Sequence, residues 1–134
     1  MARILVVEDN EVNQLLITRM LTRRGHSVQL ARDGEQALRR LEREQFDLIF
    51  MDVHLPGMDG VTATRRIRQM RAPRGQVPII ALTADAMMGD RDRYLAAGMD
   101  DYISKPIDAR ALHEAIARAL DTAPPAAQPA AHRA

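Results

Sequence analysis

Apolar residues follow two alternating patterns along the chain: short compact runs, and longer stretches with helical spacing. The short runs predict five β-strands, at Ile4–Val7, Ser27–Ala31, Leu48–Met51, Val77–Leu82 and Asp101–Ser104. The third run is apolar throughout, which is typical of a strand covered on both faces. Ser27–Ala31 is the weakest of the five, with only Val28 and Leu30 alternating.

Between and after these strands, apolar residues recur every three or four positions and predict five helices. The residues that mark the first, second, third and fifth helices are Val12, Leu15, Leu16 and Met20; Ala37, Leu38 and Leu41; Ala63, Ile67 and Met70; and Leu112, Ala115, Ile116 and Ala119. The fourth helix is expected between Ala86 and Ala97. Helix starts are predicted at Asp33, Asp59 and Asp108, and helix ends at Gly25 and Gly98.

The order of elements is strand then helix, five times over. Such alternation predicts an α/β fold, in which a parallel sheet carries helices on both faces through right-handed crossovers. Ligands of open sheets of this kind bind beyond the carboxyl ends of the strands. Candidate chemistry is therefore expected at those ends.

Composition narrows the class of protein further. Hydrophobic residues make up 46% of the 134 residues and aromatic residues only 3%, so one domain with an aliphatic core is expected. The formal charge of +1 argues against a nucleic-acid surface, and the absence of cysteine excludes disulfides and thiolate-bound zinc. No apolar run approaches the roughly 20 residues of a membrane span, and acids follow the first strand at once, unlike a signal peptide. We expect a soluble cytoplasmic protein.

The composition changes at Thr122, where the chain reads TAPPAAQPAAHRA. Pro and Ala dominate this segment, and no apolar periodicity remains, so it cannot bury a core. We predict a folded domain over residues 1–121 and a disordered tail or linker stub over 122–134. The chain is expected to be either a stand-alone domain or part of a larger protein.

Polar residues with complementary chemistry stand at four strand ends: Glu8 and Asp9, Asp52, Thr83, and Lys105. Clustered carboxylates repel one another and need a cation, and an all-oxygen set favours a hard ion such as Mg²⁺. A carboxylate next to such an ion can attack a phosphoryl donor and form an acyl phosphate. A lysine can neutralise the added charge, and a threonine hydroxyl can donate to a phosphate oxygen.

These segments carry a family resemblance. VVEDN at 6–10, MDVHLPGMDG at 51–60, ALTA at 81–84 and DYISKP at 101–106 resemble the receiver domain of two-component response regulators, most closely the receivers of hybrid histidine kinases. The resemblance implies a flavodoxin-like, doubly wound sheet of five parallel strands in the order 2-1-3-4-5, with five helices.

The resemblance also implies residue roles. Asp52 would be the phosphoacceptor, with Thr83 and Lys105 contacting the phosphoryl group and Thr83 and Tyr102 acting as switch residues. Mg²⁺, with Mn²⁺ as an alternative, would be held by the carboxylates of Glu8, Asp9 and Asp52 and by the backbone carbonyl of His54. No enzymatic activity is expected beyond the domain's own phosphorylation and dephosphorylation.

Partners are implied in the same way. The donor would be a histidine kinase or a histidine phosphotransfer protein, and a downstream protein would bind the face formed by the fourth helix, fifth strand and fifth helix. On that face we expect Met87, Met88, Tyr94 and Tyr102. No direct contact with nucleic acid is expected.

Several other residues are interpreted as structural. Asp47, Asp59, Asp100 and Asp101 have the positions of cap and turn residues, and the Arg-rich stretch 65–74 is expected to be a solvated surface. The side chain of His54 has no second His or Cys nearby and is not expected to act as a base. Lys105, in contrast, is the only lysine in the chain, which favours a specific need for a compact ammonium.

Three other functions share parts of this pattern. Haloacid-dehalogenase-type enzymes phosphorylate the first Asp of a D-x-D pattern, but the second position here is His54 and no cap domain fits. A nucleotide- or flavin-binding module would need a glycine-rich loop after the first strand, where Glu8 and Asp9 stand. A pseudo-receiver that is never phosphorylated is disfavoured because all site positions are filled.

Overall fold

The computed structural model describes residues 1–84 and 88–121, with backbone only at 88, 89 and 121. The strands are β1 (Arg3–Val7), β2 (Ser27–Ala31), β3 (Leu48–Asp52), β4 (Ile79–Thr83) and β5 (Asp101–Ser104). The helices are α1 (Glu11–Arg23), α2 (Gly34–Arg43), α3 (Gly60–Arg68), α4 (Met88–Ala97) and α5 (Ala109–Asp121), with a 3₁₀ turn at Arg74–Gln76. The predicted tail, Met87 and the side chain of Met88 lie outside the described residues.

All five strands are parallel and lie in the order β2-β1-β3-β4-β5, which confirms the expected topology. Every residue of β3 and β4 is buried, so these central strands are covered on both faces as their apolar sequences require. In the register of the sheet, Asp52 pairs with Leu82, one residue before the end of β4. The chemistry predicted for the strand ends is therefore collected at one edge.

The core consists of two layers, one on each face of the sheet. Alternate strand residues enter different layers: Ile49 and Met51 pack under α2, α3 and α4, whereas Leu48 and Phe50 pack under α1 and α5. The predicted inward faces of α2 and α5 are confirmed, since Ala37, Leu41, Leu112, Ala115 and Ile116 are buried.

Helix α1 is confirmed, but the apolar residues that predicted it lie mostly on its outer side. Val12, Leu15 and Leu16 are 72%, 55% and 40% exposed, while the buried contacts come from Ile17 and Leu21. The helix therefore keeps a largely exposed apolar stripe of Val12, Leu15 and Leu16. The fully buried residues of this helix are Ile17 and Leu21, which lie one turn apart and pack against the sheet.

The predicted cap residues are confirmed. The side chains of Asp33, Asp59 and Asp108 accept hydrogen bonds from backbone N–H groups three residues ahead, at 2.8, 2.8 and 3.1 Å. Gly25 and Gly98 have φ values of 85° and 111° at the helix ends, where a residue with a Cβ is disfavoured.

One arginine contradicts the prediction that the stretch 65–74 is only a solvated surface. The half-buried guanidinium of Arg68 donates to the carbonyls of Gly98, Gly75 and Val77 at 2.9, 3.0 and 2.6 Å and pairs with Asp100 at 3.0 Å. Its five donors can tie α3 to two loops at the edge opposite the acidic cluster, which a flexible surface arginine cannot do. Asp100, predicted as a turn residue, also accepts from the Ile79 N–H at 2.8 Å.

Among residues 1–84 and 88–121, no helix has both the length and the apolar character needed to cross a bilayer.

Candidate functional site

The predicted site residues meet at the carboxyl edge of the sheet. Asp52 and Thr83 are the last residues of β3 and β4, and Glu8 and Lys105 directly follow β1 and β5. Glu8, Asp52 and Thr83 are buried to 1%, 2% and 0% exposure, which is unusual for polar residues without a specific role. The carboxyl ends of parallel strands lie at the same edge of the sheet, so residues that are far apart in the sequence come together in this cluster.

The acidic residues form a compact trio. Glu8, Asp9 and Asp52 each present one carboxylate oxygen, and these oxygens all lie within 4.8 Å of one another. Burial raises the pKa of the Glu8 carboxyl above its ordinary value, and the charge of Asp52 raises it further, whereas the hydrogen bond from the Asn10 N–H acts in the opposite direction. The cluster therefore stores repulsion that a cation can relieve.

Lys105 lies between the two buried carboxylates. Its Nζ donates to Oδ2 of Asp52 at 3.0 Å and lies 3.2 Å from Oε1 of Glu8. Burial alone would lower the pKa of Lys105, but the hydrogen bond and charge of Asp52, with the charge of Glu8, outweigh it and raise the pKa. The ammonium therefore stays charged where an anion would be accommodated.

The carboxylate of Asp52 is held at both oxygens. Oδ1 accepts from the backbone N–H of His54 at 2.9 Å, and Oδ2 accepts from Lys105. The side chain of His54 is exposed. The structure thus connects His54 to the site through its N–H, and the proposed ligand role of its carbonyl stays a prediction.

The donor set fits a hard divalent cation. Oε1 of Glu8 is buried and receives no aligned hydrogen bond, so its contact with Lys105 is an ion pair only. Within the described part of the chain, the charge of Glu8 is balanced only by Lys105, which also pairs with Asp52, so the three carboxylates of the trio can accommodate a further cation. With two further carboxylates in reach and no sulfur or imidazole in the trio, the chemistry matches Mg²⁺ rather than a softer metal.

Two positioning residues were not found from the sequence. A Cβ at Gly60 would overlap the carbonyl oxygen of Asp52, and the Gly60 N–H donates to Val53 at 3.1 Å, so only glycine lets α3 begin this close to the site. Gln14 donates to the backbone carbonyl of Glu8 at 2.6 Å and ties the acid pair to α1. The glycine directly after the cap Asp59 was the available signal for the first; Gln14 had none.

The two tyrosines lie in different surroundings. Tyr94 is only 2% exposed, and its hydroxyl is 3.0 Å from the Thr83 hydroxyl, so the expectation that Tyr94 contributes to a partner surface is wrong. It faces inward because its ring belongs to the apolar layer under α2, α3 and α4. Tyr102 is half-buried and lines a shallow groove between α4, β5 and α5.

Comparison with known proteins places this site in a family. The family model described as the response regulator receiver domain matches residues 4–117. The chain belongs to the response regulator receiver domain family. Its sheet order is thus the fold that the sequence motifs implied, and the acidic trio and the strand-end lysine lie together at the carboxyl edge of that fold.

Curated relatives of this receiver domain include hybrid signal transduction histidine kinase I of Dictyostelium discoideum, 43% identical over 120 residues, and the sensor protein GacS of Pseudomonas syringae pv. syringae, 44% identical over 116 residues. Each alignment covers 85% of this chain but only 7% and 13% of the relative, respectively. The chain thus spans a small fraction of the length of these kinases.

A solved structure gives a similar comparison. The receiver domain of the sensor histidine kinase PA1611 from Pseudomonas aeruginosa PAO1 is 48% identical, with a TM-score of 0.82, covering 90% of this chain and 98% of that one. That protein was crystallised with a magnesium ion coordinated in its active-site cleft.

Proposed function

We propose that this receiver domain accepts a phosphoryl group on Asp52 from a phosphohistidine donor in the presence of Mg²⁺. The observation that carries the proposal is the buried Asp52 carboxylate, fixed by Lys105 and the His54 N–H beside two further acids. A carboxylate oxygen of Asp52 attacks phosphorus, the P–N bond to the donor imidazole breaks, and its electron pair returns to the imidazole nitrogen. The product is an aspartyl phosphate.

Each neighbouring residue has a role in this transfer. Lys105 is already charged and in contact with Asp52, so it is placed to neutralise the arriving phosphoryl oxygens. Thr83 supplies a hydroxyl from the adjacent strand end, and with Tyr102 forms the proposed switch pair. Glu8, Asp9, Asp52 and the His54 carbonyl would hold Mg²⁺ or Mn²⁺, which when bound neutralises charge that builds up on the phosphoryl oxygens.

The activity is that of a signalling domain rather than of an enzyme with an external substrate. Its chemistry is limited to its own phosphorylation and to hydrolysis of the acyl phosphate. We propose that it takes place in the cytoplasm, where nucleoside triphosphates supply the phosphoryl groups of such relays.

The donor must bring its imidazole to Asp52, so it must cover the surface around the acidic cluster. The exposed stripe of Val12, Leu15 and Leu16 begins one turn after the acid pair and is apolar, which suits the apolar surface of a helical phosphohistidine domain. We propose that a histidine kinase or histidine phosphotransfer protein docks on this stripe. Leu15→Gln should then slow transfer from a phosphohistidine protein but leave labelling by phosphoramidate unchanged.

Output is proposed on the face of α4, β5 and α5. The groove there combines Tyr102 with opposite charges, including the pair of Arg118 and Asp101 at 2.9 Å, and so suits a protein partner with mixed charge. Because Tyr102 is half-buried, a change in its position would alter this surface.

Labelling with phosphoramidate and Mg²⁺ tests the central proposal. Wild-type protein should gain one phosphoryl group that is lost in acid, in alkali and on treatment with hydroxylamine, as expected of an acyl phosphate, and Asp52→Asn should gain none. Asp92→Asn, at an exposed position on α4, is the matched control and should be labelled like the wild type. Equal labelling of Asp52→Asn and the wild type would overturn the assignment of the acceptor.

A further inference from the structure

The hydroxyls of Thr83 and Tyr94 lie 3.0 Å apart in the buried interior, which is hydrogen-bond distance. Thr83 ends β4 and is 0% exposed, while Tyr94 extends from α4 and is 2% exposed. The contact therefore joins the strand that borders Asp52 to the helix that borders the proposed output face.

The position of Thr83 matters because a phosphoryl oxygen can only accept hydrogen bonds. A threonine hydroxyl has one proton, so Thr83 must direct it toward the phosphoryl group to stabilise the phosphorylated state. In the structure both oxygens of Asp52 accept from other donors, Lys105 and the His54 N–H, whereas the hydroxyls of Thr83 and Tyr94 are paired with each other and either can be the donor. When Thr83 is the donor to Tyr94, giving its proton to the phosphoryl group ends that donation.

We propose that Thr83 donates to Tyr94 in the unphosphorylated state, and that the Tyr94 hydroxyl is thereby a latch that retains Thr83 in its unphosphorylated position. This inference rests on the proposed phosphorylation of Asp52 and adds a positioning residue that sets how readily the domain switches. The hydrogen bond is present in the unphosphorylated state and broken in the phosphorylated one, so it favours the former. The free energy by which phosphorylation favours the switched state is therefore reduced by the free energy of this lost hydrogen bond.

Removal of the Tyr94 hydroxyl should raise the affinity of the domain for a phosphoryl mimic. Removing the Tyr94 hydroxyl withdraws stabilisation from the unphosphorylated state, while Thr83 in the phosphorylated state has the phosphoryl group as its partner. The fraction of the domain in the competent state rises, and apparent affinity for a phosphoryl mimic rises with it. A hydrogen bond of ordinary net strength corresponds to about a 2- to 12-fold change.

The test compares beryllofluoride binding at saturating Mg²⁺ in the wild type, Tyr94→Phe, Thr83→Val and the double variant, measured by NMR titration. Phenylalanine keeps the ring that fills the core, and a melting curve for each variant confirms folding. We expect Tyr94→Phe to bind beryllofluoride about 2- to 12-fold more tightly than the wild type. Without ligand, its Thr83 and Ala84 amide signals should move toward those of the beryllofluoride-bound wild type.

The double variant separates a latch from a general packing effect. If Tyr94 acts through Thr83, Tyr94→Phe should change the affinity of the Thr83→Val protein less than twofold. Three outcomes would each overturn the latch: an undiminished effect in the Thr83→Val background, an unchanged affinity of Tyr94→Phe for beryllofluoride, or a weaker affinity. Weaker binding is expected if Tyr94 instead assists Thr83 as a donor. Failure of the wild type itself to bind beryllofluoride would overturn the proposed phosphorylation together with the latch.

Discussion

The ammonium nitrogen of Lys105 lies 3.0 Å from Oδ2 of Asp52, although 53 positions separate the two residues in the chain. Lys105 also lies 3.2 Å from Oε1 of Glu8, so one cation is shared by two buried carboxylates. A divalent ion in the acidic trio would interact with the same oxygens. Lysine and metal therefore compete for negative charge, and a phosphoryl group on Asp52 would bring enough charge for both.

Replacement of Lys105 should expose this competition. Lys105→Met keeps a flexible apolar stem but removes the charge, and we expect Mg²⁺ to bind at least about tenfold more tightly, because a nearby positive charge no longer repels the ion. Labelling by phosphoramidate should become slower, because the phosphoryl oxygens lose their ammonium. Isothermal titration with Mg²⁺ measures the first effect, and unchanged or weaker Mg²⁺ binding would contradict it. Arg110→Met, at an exposed position on α5, is the control for a general loss of charge.

Asp52→Asn should raise the melting temperature in the absence of divalent ions. Neutralising one acid of the trio relieves repulsion, while Lys105 keeps its contact with Glu8. Mg²⁺ should raise the melting temperature of the wild type, because an ion at 100 times its Kd stabilises the native state by about 2.7 kcal/mol. The variant should gain less, since it has lost a ligand charge. If millimolar Mg²⁺ left the melting temperature of the wild type unchanged, this result would argue against the metal site.

Much of the fold and site is predictable from the sequence because strand ends in a parallel sheet converge. The acid pair, Asp52, Thr83 and Lys105 each follow an apolar run, so locating the five strands was enough to bring them together. The caps Asp33 and Asp59 were equally local signals, because each needs only its own helix.

Other features depend on tertiary contacts that leave no periodic signal. Four apolar residues at helical spacing predicted α1, yet which of its faces meets the sheet is decided by Ile17 and Leu21. Tyr94 is expected on the face of α4, β5 and α5, and the weak apolar pattern of α4 gives no sign that its ring belongs instead to the apolar layer under α2, α3 and α4. Arg68 is similar: its three carbonyl partners lie in two loops that sequence spacing does not relate.

The glycine at position 60 should be indispensable for the site. Gly60→Ala places a methyl group against the Asp52 carbonyl and must displace either α3 or the end of β3, so we expect a loss of about 2–4 kcal/mol in unfolding free energy and slower labelling of Asp52. Gly57→Ala is the matched control: φ is 74° there but the space is open, so a loss of only about 1–2 kcal/mol and little effect on labelling are expected. Urea denaturation and phosphoramidate labelling give both quantities, and equal losses in the two variants would contradict the steric explanation.

Stability should fall in mild acid partly because of His26. Its Nδ1 accepts from the Ala2 N–H at 3.1 Å, and burial, then the N-terminal charge, lower its pKa below the usual value near 6.5. Protonation is therefore easier in the unfolded chain, so the contribution of His26 is complete above that value and is lost as pH falls through the lowered pKa. His26→Asn keeps an acceptor but cannot titrate, and its unfolding free energy should decline less than that of the wild type between pH 7 and pH 5. His113→Asn is the control: it leaves the His26 contact intact, so its unfolding free energy should still show the decline that His26 causes. Coincident pH profiles for His26→Asn and the wild type would show that Nδ1 of His26 is not the titrating group.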